Sequence, residues 1–274
     1  MTDDRITSPQ NPRLKSWRLL QRDGNARRER GEFVLEGRRL VEAALEQGRV
    51  KSLLYSEKFI ARSGAGEAGR TDDGPVAAAL LGEARAQDIE CVELSMAAFR
   101  KIADVPSPQG VAVVAALPCH SAADIFRTDA LVLVAAGVQE PGNLGSMMRT
   151  CLAAGATGLV ALAPSADLFH PRAVRGSAGA VLSLPALRMT EDEFLDSVRS
   201  SGLRLMAAMP RDGDDFRSAD WSRPCAIVIG SEGGGVSERL ASLSEGVTIP
   251  MRGGTESLNA AAAAAVLLFE ATRR

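Results

Sequence analysis

The sequence predicts an α/β protein whose carboxyl-terminal half is built on a parallel sheet, and three observations carry that reading. Residues 131–136, LVLVAA, form a fully apolar run of the kind that a parallel sheet buries on both faces. Apolar runs of strand length then alternate with stretches of helical spacing, the pattern of repeated strand–loop–helix units. Near the carboxyl end, a polar loop hands the chain to an Ala-rich helix at 260–269 with almost no polar face. A helix apolar all round is normally buried, here against other layers or a second subunit.

At 274 residues, the chain can form two ordinary domains, each with its own core. Hydrophobic residues make up 46 % and charged ones 24 %, a globular balance, and no apolar run approaches the ~20 residues of a membrane span. The start, MTDDRITSPQ, has no apolar segment of the signal-peptide kind, so a cytoplasmic protein is expected. Cys91, Cys119, Cys151 and Cys225 lie far apart without C-x-x-C spacing, and only His120 and His170 could join them. No metal site is expected, and the cysteines read as reduced, mostly buried thiols.

The first domain is expected over residues 1–117. Its start is strongly basic: between Arg5 and Arg39 ten basic residues face four acidic ones, although the whole chain has a net charge of −2. Arginine dominates, and its planar fork suits phosphate. Arg13, Lys15, Arg27, Arg28, Arg38 and Arg39 are therefore candidate RNA contacts, the alternative being an ordinary solvated helix face. Leu14, Trp17 and Leu20 at three-residue spacing predict a basic helix in the segment 12–30, ending near Gly24 or Gly31. An apolar run at 33–35, a helix at 38–47 closed by Gly48 and a strand at 50–55 follow. Gly64-x-Gly66-x-x-Gly69 has the spacing of a dinucleotide fingerprint, but it lies among breakers, with Gly74-Pro75 close behind, and reads as a surface loop. Helix 76–87, strand 89–94, Ser-capped helix 95–102, the turn 107–110 and strand 111–116 complete the unit. Residues 118–128 read as a linker.

In the second domain, 129–274, strand 131–136 leads through a loop into a helix ending at Ala154 before Gly155. Strand 159–162, helices 171–182 and 191–200, and strands 203–208 and 225–229 follow, then the terminal strand–loop–helix stretch. In such sheets ligands sit at the carboxyl ends of strands, and three of these ends carry unusual text. They are Gly137-Val138-Gln139-Glu140-Pro141-Gly142-Asn143-Leu144-Gly145 running on to Arg149-Thr150, Gly230-Ser231-Glu232-Gly233-Gly234-Gly235, and Ile249-Pro250-Met251 followed by Glu256-Ser257-Leu258-Asn259. None is a phosphate loop, since the Walker spacing with Lys-Ser/Thr is missing.

The combination N-x-G-x-x-x-R-T, G-S-E-G-x-G and I-P-M…E-S-L-N resembles the three motifs of the SpoU (TrmH) family of RNA ribose 2′-O-methyltransferases in the SPOUT superfamily. The first unit, with E-G-R-R-L and S-P-Q-G-V, resembles the ribosomal-protein-like RNA-binding domain that often precedes it. The resemblance implies S-adenosylmethionine held by the second and third loops, a deep trefoil knot and a homodimer whose site uses both subunits. Periodicity reveals no knot, and threading is nearly absent among folds. Departures from the family pattern are Glu140 for Asp, Ser231 for Asn, and an Ala run after Asn259 where Val-Ser is usual.

Ile229, Gly230, Glu232, Gly233, Ile249, Met251, Ser257, Leu258 and Asn259 are the cofactor-binding residues implied, with most contact through the backbone. Arg149, Asn143, Glu232, Ser257 and Asn259 are the catalytic candidates. The matching family arginine is assigned as the base, yet a guanidinium titrates above ~12, so Arg149 is expected to clamp the target phosphate and hydroxyl. Asn143 would orient Arg149 or the substrate, or simply form a turn. Glu232 would anchor Arg149 or cap the next helix, while Ser257 and Asn259 would order the third loop or act only as caps. With Tyr55, Trp17, Trp221 and a few Phe there is no aromatic platform for single strands, so a folded RNA read by shape is expected. Large-subunit (23S) ribosomal RNA is the expected target. Transfer RNA, or a catalytically silent RNA-binding assembly factor of the same fold, is the alternative.

Overall fold

The computed structural model describes residues 4–62, 74–252 and 257–273. It divides into two compact units, one of Met1–Pro118 with Phe169–Pro171 and one of Cys119–Leu168 with Arg172–Arg274. The glycine-spaced loop at 64–69, and Gly253, Gly254, Thr255 and Glu256 of the third loop, lie outside the described residues.

The first unit is a five-stranded mixed sheet of β1 (Asp4–Ile6), β2 (Glu32–Glu36), β3 (Val50–Ser56), β4 (Glu90–Leu94) and β5 (Val111–Ala116) in the order β1-β4-β3-β5-β2. β4 pairs parallel with β1 and β3, whereas β5 runs antiparallel to β3 and β2. Leu14, Trp17 and Leu20 pack with Val34, Leu54, Val92 and Phe99 in one core, as the apolar stripe required. The basic segment forms two helices, Pro12–Arg22, which stops at the nearer of the two expected ends, and Gly24–Arg30. Asp23 takes an extended conformation between them, and its carboxylate accepts hydrogen bonds from the N–H groups of Asn25 and Ala26. A helix-capping side chain thus starts a second helix, which the apolar spacing did not announce.

The second unit is a seven-stranded, wholly parallel sheet of β6 (Leu131–Ala136), β7 (Gly158–Leu162), β8 (Ala186–Met189), β9 (Arg204–Ala208), β10 (Asp214–Asp215), β11 (Cys225–Gly230) and β12 (Glu245–Thr248), ordered β10-β12-β9-β11-β6-β7-β8. β7 is buried throughout, β6 up to Ala135 and β11 up to Ile229, which explains their unbroken apolar text. β1, β8 and β10 were not legible as strands because they are edge strands of two to four residues, too short for a period to register.

The helix expected over 171–182 is two, Pro171–Gly176 and Ala180–Ser183, separated by Ala178 and Gly179 at positive φ. Residues 118–128 contain the short helix Ala122–Ile125, whose Ile125 is fully buried. The terminal helix, Ala260–Ala271, packs on helix Pro141–Ala154 and on β11. It is not buried all round. Ala260, Ala264, Leu267 and Leu268 face inward, whereas Val266 and Phe269 are exposed, the latter by 55 %. Among the described residues no helix is long and apolar enough to cross a membrane.

Candidate functional site

The carboxyl ends of β9, β11 and β12 surround an open cavity of about 570 Å³, within the range of small-molecule sites. The sheet order explains the convergence. β11 lies between β9 and β6, so loops remote in the sequence leave the same edge side by side. The floor is apolar, with Ile229, Val247, Ile249 and Ala263, and the rim is backbone-rich.

The second loop is the tightest part. Ser231 and Gly235 exchange two backbone hydrogen bonds of 3.0 Å, and the Ser231 hydroxyl accepts a third from the Gly234 N–H at 3.1 Å. The loop is thereby folded back on Gly230, where an added Cβ would stand 2.1 Å from the Gly235 carbonyl carbon. Only glycine fits there. Serine in place of the family's usual Asn at 231 is accommodated by this internal hydrogen bond.

The first loop is held from beneath by Ser165, which sequence reasoning missed. Its hydroxyl accepts from the N–H groups of Gly137 (2.9 Å) and Val138 (3.1 Å) and donates to the Ala135 carbonyl (2.9 Å), the full capacity of a hydroxyl. A lone serine beyond a strand carries no motif, so no local signal marks it. Replacing Ser165 with alanine removes the hydrogen-bond acceptor of two loop amides. Urea unfolding should register a loss of about 1–3 kcal/mol, the usual penalty of an orphaned buried donor, and an unchanged midpoint would refute the role given to this hydroxyl. Helix Pro141–Ala154 begins at Glu140, whose carboxylate accepts from the Gly142 N–H (3.1 Å) and pairs with Arg172 (2.8 Å). Glutamate at 140 therefore serves as a cap. Gly145 permits the close approach of the neighbouring helix, since a Cβ there would be 2.3 Å from the Ala173 carbonyl oxygen.

The three loops meet through a chain of amide hydrogen bonds. The Asn143 side-chain NH2 donates to Glu232 Oε1 (2.8 Å), and the Asn259 NH2 donates to Asn143 Oδ1 (3.0 Å). Asn259 Oδ1 in turn accepts from the N–H groups of Ala261 and Ala262, capping the terminal helix.

Of the cofactor-binding residues expected from sequence, Ile229, Gly230, Glu232, Gly233, Ile249, Met251, Ser257 and Leu258 line the cavity, and Asn259 stands behind it in the amide chain. Ala208, Met209, Pro210 and Arg211 line it too and were not anticipated, although the end of a parallel strand at 203–208 was the available signal. Two expectations about Arg149 are corrected. Glu232 binds Asn143 rather than Arg149. Nor does Asn143 bond to Arg149, because six residues along a helix rotate a side chain by roughly 240° and raise it by about 9 Å. Arg149 is exposed, does not line the cavity, and its side chain makes no hydrogen bond or ion pair with any described residue.

The cysteines are free, and Cys119 alone of the four is exposed. Burial pushes the Cys151 and Cys225 thiols up, which keeps them protonated. In the first unit, the basic candidates separate. Arg27 is 2 % exposed and its guanidinium donates to the Leu20 carbonyl (2.6 Å), so it is a structural residue and not an RNA contact. Arg13 lies over the Trp17 ring and pairs with Asp4 (3.0 Å) and Glu90 (2.5 Å). Arg38 pairs with Glu42 (2.8 Å). Lys15, Arg28 and Arg39 are exposed.

Residues 130–269 match the SpoU rRNA Methylase family, and residues 11–113 match the MRM3-like substrate binding domain. The chain is 30 % identical to the 23S rRNA (guanosine(2553)-2'-O)-methyltransferase RlmP of Bacillus subtilis, over 96 % of this chain and 97 % of that one. It is 33 % identical to the 23S rRNA (uridine(2479)-2'-O)-methyltransferase of Streptomyces viridochromogenes, over 98 % and 92 % of the two chains. The AdoMet-bound rRNA methyltransferase of Sinorhizobium meliloti superposes with a TM-score of 0.83 at 27 % identity, covering 98 % of this chain and 97 % of that one. On this match, and on the three strand-end loops that carry the family's motifs, the chain belongs to the SpoU rRNA methylase family.

Proposed function

We propose that this protein is an S-adenosylmethionine-dependent RNA methyltransferase that acts on a ribose 2′-hydroxyl of ribosomal RNA in the cytoplasm. The observation that carries this reading is the convergence of the 230–236 loop, Ile249, Met251, Ser257 and Leu258 on one cavity at the strand ends. The cavity fits the cofactor in kind, with an apolar floor for an adenosyl group, backbone amides and carbonyls at the rim, and one carboxylate among the described lining residues, Glu232, for a ligand that carries a sulfonium and an ammonium. S-adenosylmethionine supplies an electrophilic methyl group.

The remaining work falls to the protein. Asn143, Glu232 and Asn259 lock the three loops into one geometry, which positions nucleophile and methyl group for in-line displacement. Arg149 clamps the target phosphate and hydroxyl through its fork. The hydroxyl proton would leave to a phosphate oxygen or to a transiently neutral Arg149.

The site is read as composed from two subunits of a homodimer. Arg149 stands outside the cavity, and Leu152, Val266 and Phe269 are exposed on two helices packed together. The position of β11 between β9 and β6, with the terminal helix packed on helix Pro141–Ala154, supports a knotted path. Residues 1–117 are read as the RNA-binding domain, with exposed Lys15, Arg28 and Arg39 touching phosphate and Arg13 and Arg38 released from their surface ion pairs on binding. Ribose-methylation mapping of total RNA from cells with and without the gene tests the reading. One large-subunit ribosomal nucleotide should lose its mark. A mark lost only from transfer RNA would redirect the substrate, and no change at all would favour a silent binder.

A further inference from the structure

Among the described residues lining the cavity, Arg211 is the one cation and Glu232 the one anion. Arg211 follows the end of β9, and its segment is held on both sides. The Met209 N–H donates to the Val247 carbonyl (2.8 Å) and the Gly213 N–H to Thr248 Oγ1 (3.0 Å). Gly213 is pressed against β12, where a Cβ would stand 2.8 Å from the Gly246 carbonyl carbon and from the Val247 nitrogen. The guanidinium is therefore carried on a fixed base.

Among the described residues it also lacks a partner. Elsewhere in this unit Arg127, Arg172, Arg199, Arg204, Arg217 and Arg239 each pair with a carboxylate. Arg211 is exposed and makes no hydrogen bond or ion pair with any described residue. Asp212 beside it is at positive φ (64°) and does not line the cavity. A cation that lines a ligand cavity and has no carboxylate partner among the described residues is suited to an anion brought by the ligand.

The cofactor of the proposed reaction ends in an amino-acid group, with one carboxylate and one ammonium. The apolar floor suits the adenosyl end, which leaves the charged tail for the rim. On the methyltransferase reading, we infer that Arg211 binds the α-carboxylate of S-adenosylmethionine and so makes the site select the full cofactor over tail-less adenosyl thioethers. The planar fork can take both carboxylate oxygens, a contact that lysine cannot reproduce.

Calorimetric titration of the full-length protein with S-adenosylhomocysteine and with 5′-methylthioadenosine, which keeps the adenosyl thioether but has no amino-acid tail, tests this. Wild type should bind S-adenosylhomocysteine more tightly. Arg211→Gln should weaken that ligand about tenfold or more, the scale of a lost charge-assisted hydrogen bond, and leave methylthioadenosine within about twofold. Arg211→Lys should fall between. An equal loss for both ligands, or none for either, overturns the inference. So does an Arg211→Gln protein that binds S-adenosylhomocysteine normally but ribosomal RNA poorly, since the cation then serves a phosphate. If wild type binds neither ligand, the methyltransferase reading fails first, an outcome distinct from failure of the Arg211 assignment.

Discussion

Arg149→Lys should lower turnover by about 10²-fold or more, the scale on which a single transition-state donor acts, while S-adenosylhomocysteine binding and the melting temperature remain at wild-type values. Three features of the residue set this expectation. It is exposed, its side chain forms no bond with any described residue, and it lies outside the cavity, so neither the fold nor the cofactor site depends on that side chain. Lysine keeps the charge but not the fork, so a clamp that holds phosphate and hydroxyl together is lost while general attraction for RNA is retained. Single-turnover methylation with saturating RNA separates the two contributions. Full turnover in the lysine variant would end the clamp proposal, and a matching loss of RNA affinity would make Arg149 a binding residue only. Surface substitutions of this kind change stability by no more than about 0.5 kcal/mol, so a drop in melting temperature would itself contradict the structure.

Gly230→Ala should abolish cofactor binding, with S-adenosylhomocysteine affinity reduced by about 100-fold or more. The added methyl would lie 2.1 Å from the Gly235 carbonyl carbon, 2.3 Å from its oxygen and 2.3 Å from the Val236 nitrogen. All three are backbone atoms of the same loop, so no side-chain rotation relieves the clash. The paired Ser231–Gly235 hydrogen bonds must open, which carries Glu232 away from Asn143 and disconnects the second loop from the other two. The variant should melt at lower temperature and bind no ligand. Gly82→Ala is the control of opposite sign. That position lies in helix Gly74–Ala86 with open space where the methyl would go, and alanine there should stabilise by roughly 0.5–1 kcal/mol. A Gly230→Ala protein that titrates like wild type would show that the loop is not the cofactor's cradle.

Much of this site is written locally. Gly230, Gly235, Pro250 and Asn259 announce turns and a helix cap by their own chemistry, and the apolar runs at 131–136 and 225–229 announce buried strands. The partners of the polar residues are not written. Charge alone joined Glu232 to Arg149, whereas the structure joins it to Asn143, 89 residues away. Arg27 belonged by composition with the basic surface, yet its guanidinium serves a carbonyl inside the first unit. Ser165 had no local signature and Arg211 only its place after a strand end, because their roles arise from strands adjacent only in the sheet.

The sequence by itself determined the alternation of strands and helices, the three loops and the family motifs on them, because periodicity, turn formation and capping depend on residues within a few positions of each other. Tertiary structure decided the order of the strands, with β11 between β9 and β6, and the contacts that join Asn143 to Glu232 and, across 116 residues, to Asn259. Parallel strands are joined by long crossovers, so their neighbours are set by packing of the whole sheet rather than by nearby residues. The cavity at their ends exists only once that packing is complete.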